Sequence, residues 1–78
     1  MTYTIEMRVR RVGGALSRVA ELLRRRRFEV ARLVARPTGD GGRLDLTVTV
    51  TGTGPAGAVA RQVSRLEDVE RVHLRMTA

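Results

Sequence analysis

Hydrophobic and polar positions alternate from Thr2 to Val9, with Tyr3, Ile5, Met7 and Val9 on one side and Thr4, Glu6 and Arg8 on the other. A period of two predicts a strand buried on one face. Past Gly13 and Gly14 the period lengthens. Ala15, Leu16, Val19, Ala20, Leu22 and Leu23 recur at three and four, while Ser17, Arg18, Glu21, Arg24 and Arg25 fall mainly on the remaining face. This predicts an amphipathic helix of about three turns. Val30, Ala31, Arg32, Leu33, Val34 and Ala35 form a second extended run, closed by the turn-rich Pro37-Thr38-Gly39-Asp40-Gly41-Gly42. Alternation then returns, Leu44, Leu46, Val48 and Val50 interleaving with Asp45, Thr47, Thr49 and Thr51. Thr53-Gly54-Pro55 opens a second helix with the stripe Ala56, Val59, Ala60, Val63 and Leu66, and Val72, Leu74 and Met76 mark a last strand.

The predicted order is strand, helix, strand, strand, helix, strand, which is an α+β, ferredoxin-like arrangement filling residues 1–78 as a single domain. Two helical stripes and one apolar face per strand are buried together if both helices lie on one side of a four-stranded antiparallel sheet. The other sheet face stays open. By strand parity it carries Thr4, Glu6, Arg8, Asp45, Thr47, Thr49, Arg71, His73 and Arg75.

Composition narrows the function classes. A chain of 78 residues supports only a small core, so pairing with a copy of itself or with a larger partner is expected. Fifteen basic residues, all arginine, outweigh eight acidic ones and leave a net charge of +7, which favours an anionic ligand, nucleic acid or an acidic protein surface. Without cysteine there are no disulfides and no thiolate chemistry, and the sequence carries neither a signal peptide nor a membrane-length apolar run. A cytoplasmic protein that does not enter membranes is the expectation. Nucleic acid ranks second as a partner, because Tyr3 and Phe28 are the only aromatics and neither is predicted on the open face where bases could stack.

Arg24, Arg25, Arg26 and Arg27 are expected in the last turn of the first helix. Cations are favoured there by unpaired carbonyls, and Glu21 lies one turn from Arg25. The same run is also a candidate docking patch for an acidic partner. His73 stands alone on a polar parity, with no second ligand or serine dyad to make it a metal ligand or base, and no catalytic or metal site is assigned. The turn "RRVGGALSR" is the best candidate for ligand binding. Its glycines leave the first helical amides uncrowded, and such amides take carboxylate or phosphate, although a double glycine also serves a tight turn alone.

Taken together, "GGALSRVAELLRRRRFEVARLVARPT", "LDLTVTV" and "VSRLEDVERV" resemble the ACT domain of acetolactate synthase small, regulatory subunits, most closely the short valine-insensitive type. Gly14, Ala15, Leu16, Ser17, Arg18, Val19, Phe28, Leu33, Pro37, Thr38, Leu66, Asp68, Val69 and Val72 carry the likeness. The resemblance implies a non-catalytic subunit that docks on a large catalytic partner and raises its activity. Thiamine diphosphate, magnesium and FAD would belong to that partner, with no cofactor in this chain. It further implies an effector-binding turn at Arg11, Gly13, Gly14, Ala15, Leu16 and Ser17, and a homodimer formed through the second strand, Val30 to Ala35. Where the family carries an asparagine in that turn, this chain has Arg11, which supplies donors but no acceptor for an ammonium group. Valine is therefore not expected to act, and any effector is expected to be purely anionic. A free-standing ACT domain that senses another small carboxylate is the alternative, followed by an arginine-rich nucleic-acid-binding module.

Overall fold

The computed structural model describes residues 1–77 and contains all six elements: β1 (Thr2–Arg10), α1 (Ala15–Arg25), β2 (Glu29–Pro37), β3 (Arg43–Thr51), α2 (Ala56–Ser64) and β4 (Val69–Thr77). The strands form one antiparallel sheet in the order β2-β3-β1-β4. This is the ferredoxin-like βαββαβ fold. The two middle strands pair with Ile5 opposite Val48, Met7 opposite Leu46 and Val9 opposite Leu44, so their apolar residues share one face. The stripes of α1 and α2 close on that face. Ile5, Val9, Val19, Leu23, Leu46, Val48, Val50 and Val63 are all buried. Each such side chain contributes about 1.5–3 kcal/mol, more than any exposed ion pair, so apolar periodicity and not the arginine content decides the fold.

The end of α1 corrects the expected place of the arginine run. Arg24 and Arg25 lie in the last turn, but Arg26 is already the C-cap and Arg27 takes a left-handed conformation at φ 65°. The Arg27 amide donates to the Arg24 carbonyl at 3.0 Å and the Phe28 amide to the Leu23 carbonyl at 3.0 Å. These two bonds form a Schellman motif with arginine where glycine is usual, and the strain is offset by burying Phe28 beside Leu23. Phe28 is therefore a core residue and not a residue left at a helix end. Its ring lies so close to the chain after β3 that a Cβ on Gly52 would stand 2.7 Å from Phe28 Cδ1 and 3.1 Å from the Arg27 carbonyl oxygen. Tyr3 meets the same ring edge-on, the centroids 6.1 Å apart.

Two strands start earlier than their sequence periods indicate. β2 begins at Glu29 and β4 at Val69, and each contains a register shift that interrupts simple alternation. In β2, Val30 pairs with Val50 but Arg32 with Thr49, which leaves Ala31 as a bulge. Val30, Leu33, Ala35 and Pro37 consequently share the helix side, and Arg32, Val34 and Arg36 the open side. In β4 the shift falls between the Arg8–Arg71 and Val9–Val69 pairs. Leu66 lies beyond α2, half-buried, and Met76 keeps its parity but is exposed. Thr4, assigned to the open face, is buried in the central strand β1 between its neighbours Thr49 and Arg75.

Candidate functional site

β1 leads into α1 through a compact turn. The Val12 amide donates to the Arg10 carbonyl at 2.9 Å and the Ala15 amide to the Val12 carbonyl at 3.2 Å, with Gly14 left-handed at φ 83° as the N-cap. No acidic residue stands in the first turn of α1, and no side chain caps it. The Leu16 and Ser17 amides have no backbone acceptor among the described residues, so the positive end of the helix faces outward. Gly13, Leu16 and Ser17 are exposed, and Val12 adds an exposed apolar side chain at the rim. The Arg11 amide is spent on the Gly42 carbonyl at 3.1 Å, while its side chain is exposed and forms no ion pair among the described residues. Of the six turn residues expected to act together, Ala15 is buried in the core and serves packing.

A pair of residues fifty positions apart holds this turn. Arg18 folds back over Gly14, donating through Nε to Asp68 Oδ2 at 2.9 Å, through Nη2 to the same oxygen, and weakly to the Gly13 carbonyl at 3.4 Å. Arg10 Nη2 stands 3.6 Å from the other carboxylate oxygen, and the Arg10 amide donates to the Asp68 carbonyl at 2.8 Å. Asp68 is 6% exposed, so it fastens the end of β1 and the start of α1 to the mouth of β4 from inside. Charge-assisted bonds at a buried carboxylate are the strong kind. Both residues belong to the sequence motif, but their pairing became visible only when the chain was folded. A carboxylate of a small ligand can meet amides and guanidinium groups at this turn. An ammonium group finds Asp68 already taken.

The arginine run is exposed throughout. Glu21 pairs with Arg24 at 2.7 Å, and not with Arg25 as expected, which holds its carboxyl below the ordinary 4.5. Arg25, Arg26 and Arg27 form no ion pair among the described residues.

β2 is the sheet edge next to β3, and it is exposed along its whole length except at half-buried Val34. Val30 and Leu33, although on the helix side, remain 37% and 39% exposed. The remaining open face is ordered in rows across the strands. One row runs Arg36, Asp45, Arg8, Arg71; a second runs Val34, Thr47, Glu6, His73; a third runs Arg32, Thr49, Thr4, Arg75. Arg8 Nε bonds Asp45 at 2.8 Å, and that bond holds the Asp45 carboxyl below its ordinary 3.8. Arg75 bonds Glu6 at 2.9 Å. Asp40 in the hairpin loop is lowered too, first by the Thr38 hydroxyl and then by the Gly42 amide. His73 stands exposed opposite Glu6, and among the described residues no group of histidine, aspartate and glutamate is placed to hold a metal. Nor is any described helix long and apolar enough to cross a membrane.

Comparison with known proteins agrees with this architecture. The ACT domain from the GTP pyrophosphokinase of Chlorobium tepidum superposes with a TM-score of 0.78 at 8% identity, covering 96% of this chain and 97% of that one. A formyltetrahydrofolate deformylase from Pseudomonas putida gives 0.80 at 13% identity, covering 99% of this chain and 29% of the other. The C-terminal domain of the MgtC protein from Mycobacterium tuberculosis gives 0.72 at 21% identity, over 95% of this chain and 84% of its own. These likenesses concern the fold. This chain therefore equals some neighbours in length and is a fraction of others. No curated protein matches it. The family model described as ACT domain matches residues 11–72, from the glycine turn to the middle of β4. Fold, turn and matched span agree, and the chain belongs to the ACT domain family, whose members are regulatory modules that bind small molecules and are not themselves catalytic.

Proposed function

We propose that this ACT domain is a non-catalytic, activating subunit for a thiamine-diphosphate-dependent catalytic chain of the acetolactate synthase kind. The supporting observation is the pair between exposed Arg18 and buried Asp68, which joins two positions of the small-subunit motif and uses them to fix the glycine turn. In this reading the domain acts by binding better to the competent state of its partner and so raising the population of that state. Thiamine diphosphate, magnesium and flavin are held by the partner. Two copies pair along β2, whose exposed Val30 and Leu33 and free backbone edge invite a strand from a twin. The effector turn takes an anion or stays empty, because Arg11 stands where an acceptor for an amine is needed.

Co-expression with the candidate catalytic subunit tests the reading. Acetolactate output rises when this chain is present, and unchanged output removes the proposal. Millimolar valine leaves the melting temperature of the purified chain unmoved; an upward shift shows that an amine acceptor has been overlooked. Leu33→Glu converts a dimer to a monomer in sedimentation if β2 is the seam. A second reading, a free-standing sensor of a small carboxylate, is favoured by the uncapped Leu16 and Ser17 amides, and a screen of organic acids by thermal shift separates it from the first.

A further inference from the structure

The face of the sheet that the helices leave uncovered has an order that composition alone conceals. Arg32 and Arg36 project from the β2 edge and Arg71 and Arg75 from the β4 edge, each pair four residues apart on its strand and each registered with the other across the sheet. Four residues of strand span about 13–14 Å, and three strand spacings about 14 Å. The four guanidinium groups thus start from the corners of a near-square. All four residues are exposed. Arg75 is engaged by Glu6, and the floor carboxylate Asp45 by Arg8, while among the described residues Arg32, Arg36 and Arg71 have no ion pair. Between the columns the floor carries the hydroxyls of Thr47 and Thr49, and Val34 supplies an apolar contact midway along β2.

We infer that this face is a docking surface for an acidic amphipathic α-helix of a partner protein, laid along the strands between the two arginine columns. The chemistry selects protein over nucleic acid. No phenylalanine, tyrosine or tryptophan lies on the face, since Phe28 is in the core and Tyr3 packs against it, and the one ring offered to a base among the described residues is the imidazole of His73 on the edge strand. The dimensions select a helix over an extended peptide. A helix about 10–12 Å wide fills the space between the columns and presents carboxylates to both, whereas a single strand, spaced about 4.8 Å from its neighbour, serves one column only. A small carboxylate cannot span the corners at all. Glutamates along two flanks meet the arginines, and one apolar residue between them meets Val34 and the threonine methyls. The inference does not depend on which enzyme supplies the helix.

Anisotropy titration of the full chain with a fluorescent, alanine-rich helical peptide of about 18 residues, carrying two lines of glutamates, tests it at about 0.15 M salt. Saturable binding is expected, weakened roughly tenfold or more by Arg32→Gln with Arg71→Gln. Arg25→Gln with Arg26→Gln, which removes the same charge elsewhere, leaves it within about twofold. A peptide of identical charge broken by two prolines binds at least tenfold more weakly. The proposal is overturned if the broken peptide binds equally well, if both double variants lose affinity alike, if single-stranded polythymidylate binds more tightly than the helix, or if nothing saturates. It is also overturned if Arg71→Gln with Arg75→Gln, on the edge strand away from β2, changes the oligomeric state, because a second copy then covers the face. Circular dichroism of each variant confirms that the fold is intact before binding is read.

Discussion

At its C-terminal end α1 is fastened by packing: Arg27 turns left-handed, Phe28 drops into the core, and Gly52 gives the ring room. At its N-terminal end it is fastened by charge, through Arg18, Asp68 and Arg10 around a glycine turn with open amides. The two fastenings differ in what they tolerate. A ring in a close-packed core has no substitute partner and resists salt and acid. An ion pair whose arginine is half exposed responds to ionic strength. The glycine-turn end of the helix is thus the end held by the interaction that responds to salt.

Substitutions can break this contrast, beginning with the packed end. Phe28→Ala empties the site beneath Gly52 and costs about 3–5 kcal/mol, read as a loss of unfolding free energy in urea. Gly52→Ala reverses the error by overfilling the site. With the ring and the Arg27 carbonyl both in the way, it costs about 2–3 kcal/mol in the same assay. At the charged end, Asp68→Ala leaves Arg18 and Arg10 without their carboxylate and costs about 2 kcal/mol. Its signature is in salt: the gap from the parent narrows between low and high ionic strength, whereas the Phe28→Ala gap does not. The smallest effect belongs to the exposed pair on α1 itself. The Glu21 carboxyl is held below 4.5 by its bond to Arg24, so its contribution is complete above about pH 5 and is lost as pH falls through the lowered value. Glu21→Gln therefore lowers the melting temperature slightly on the neutral limb and converges with the parent on the acid limb, where the parent's carboxyl is protonated.

The same contrast explains what could be read from the chain beforehand. The strand alternation of residues 3–9 and 44–50 and the stripes of both helices are local patterns produced by one-sided burial, and they placed all six elements in order. Three features were hidden. Phe28 follows four arginines and looked like a boundary residue, because nothing nearby in sequence reveals that Gly52 and Gly54 make space for it. The left-handed Arg27 ended the helix early with a residue that gives no turn signal. Asp68 and Arg18 were legible as separate motif positions, yet an ion pair across fifty residues follows from topology and not from spacing. The glycine turn was anticipated because it is a property of a single segment. Of the arginine corners of the open sheet face, Arg71 and Arg75 were placed by parity, whereas Arg32 and Arg36 were not, because the bulge at Ala31 interrupts the alternation that starts at Val30.

That bulge also puts a crease in the bare margin of the sheet. A margin straight over all nine residues of β2 could template one copy after another, as in a fibre. Creased near its start, it offers a regular run only from Arg32 to Pro37, long enough to seat one neighbour in a defined register and poorly suited to indefinite stacking.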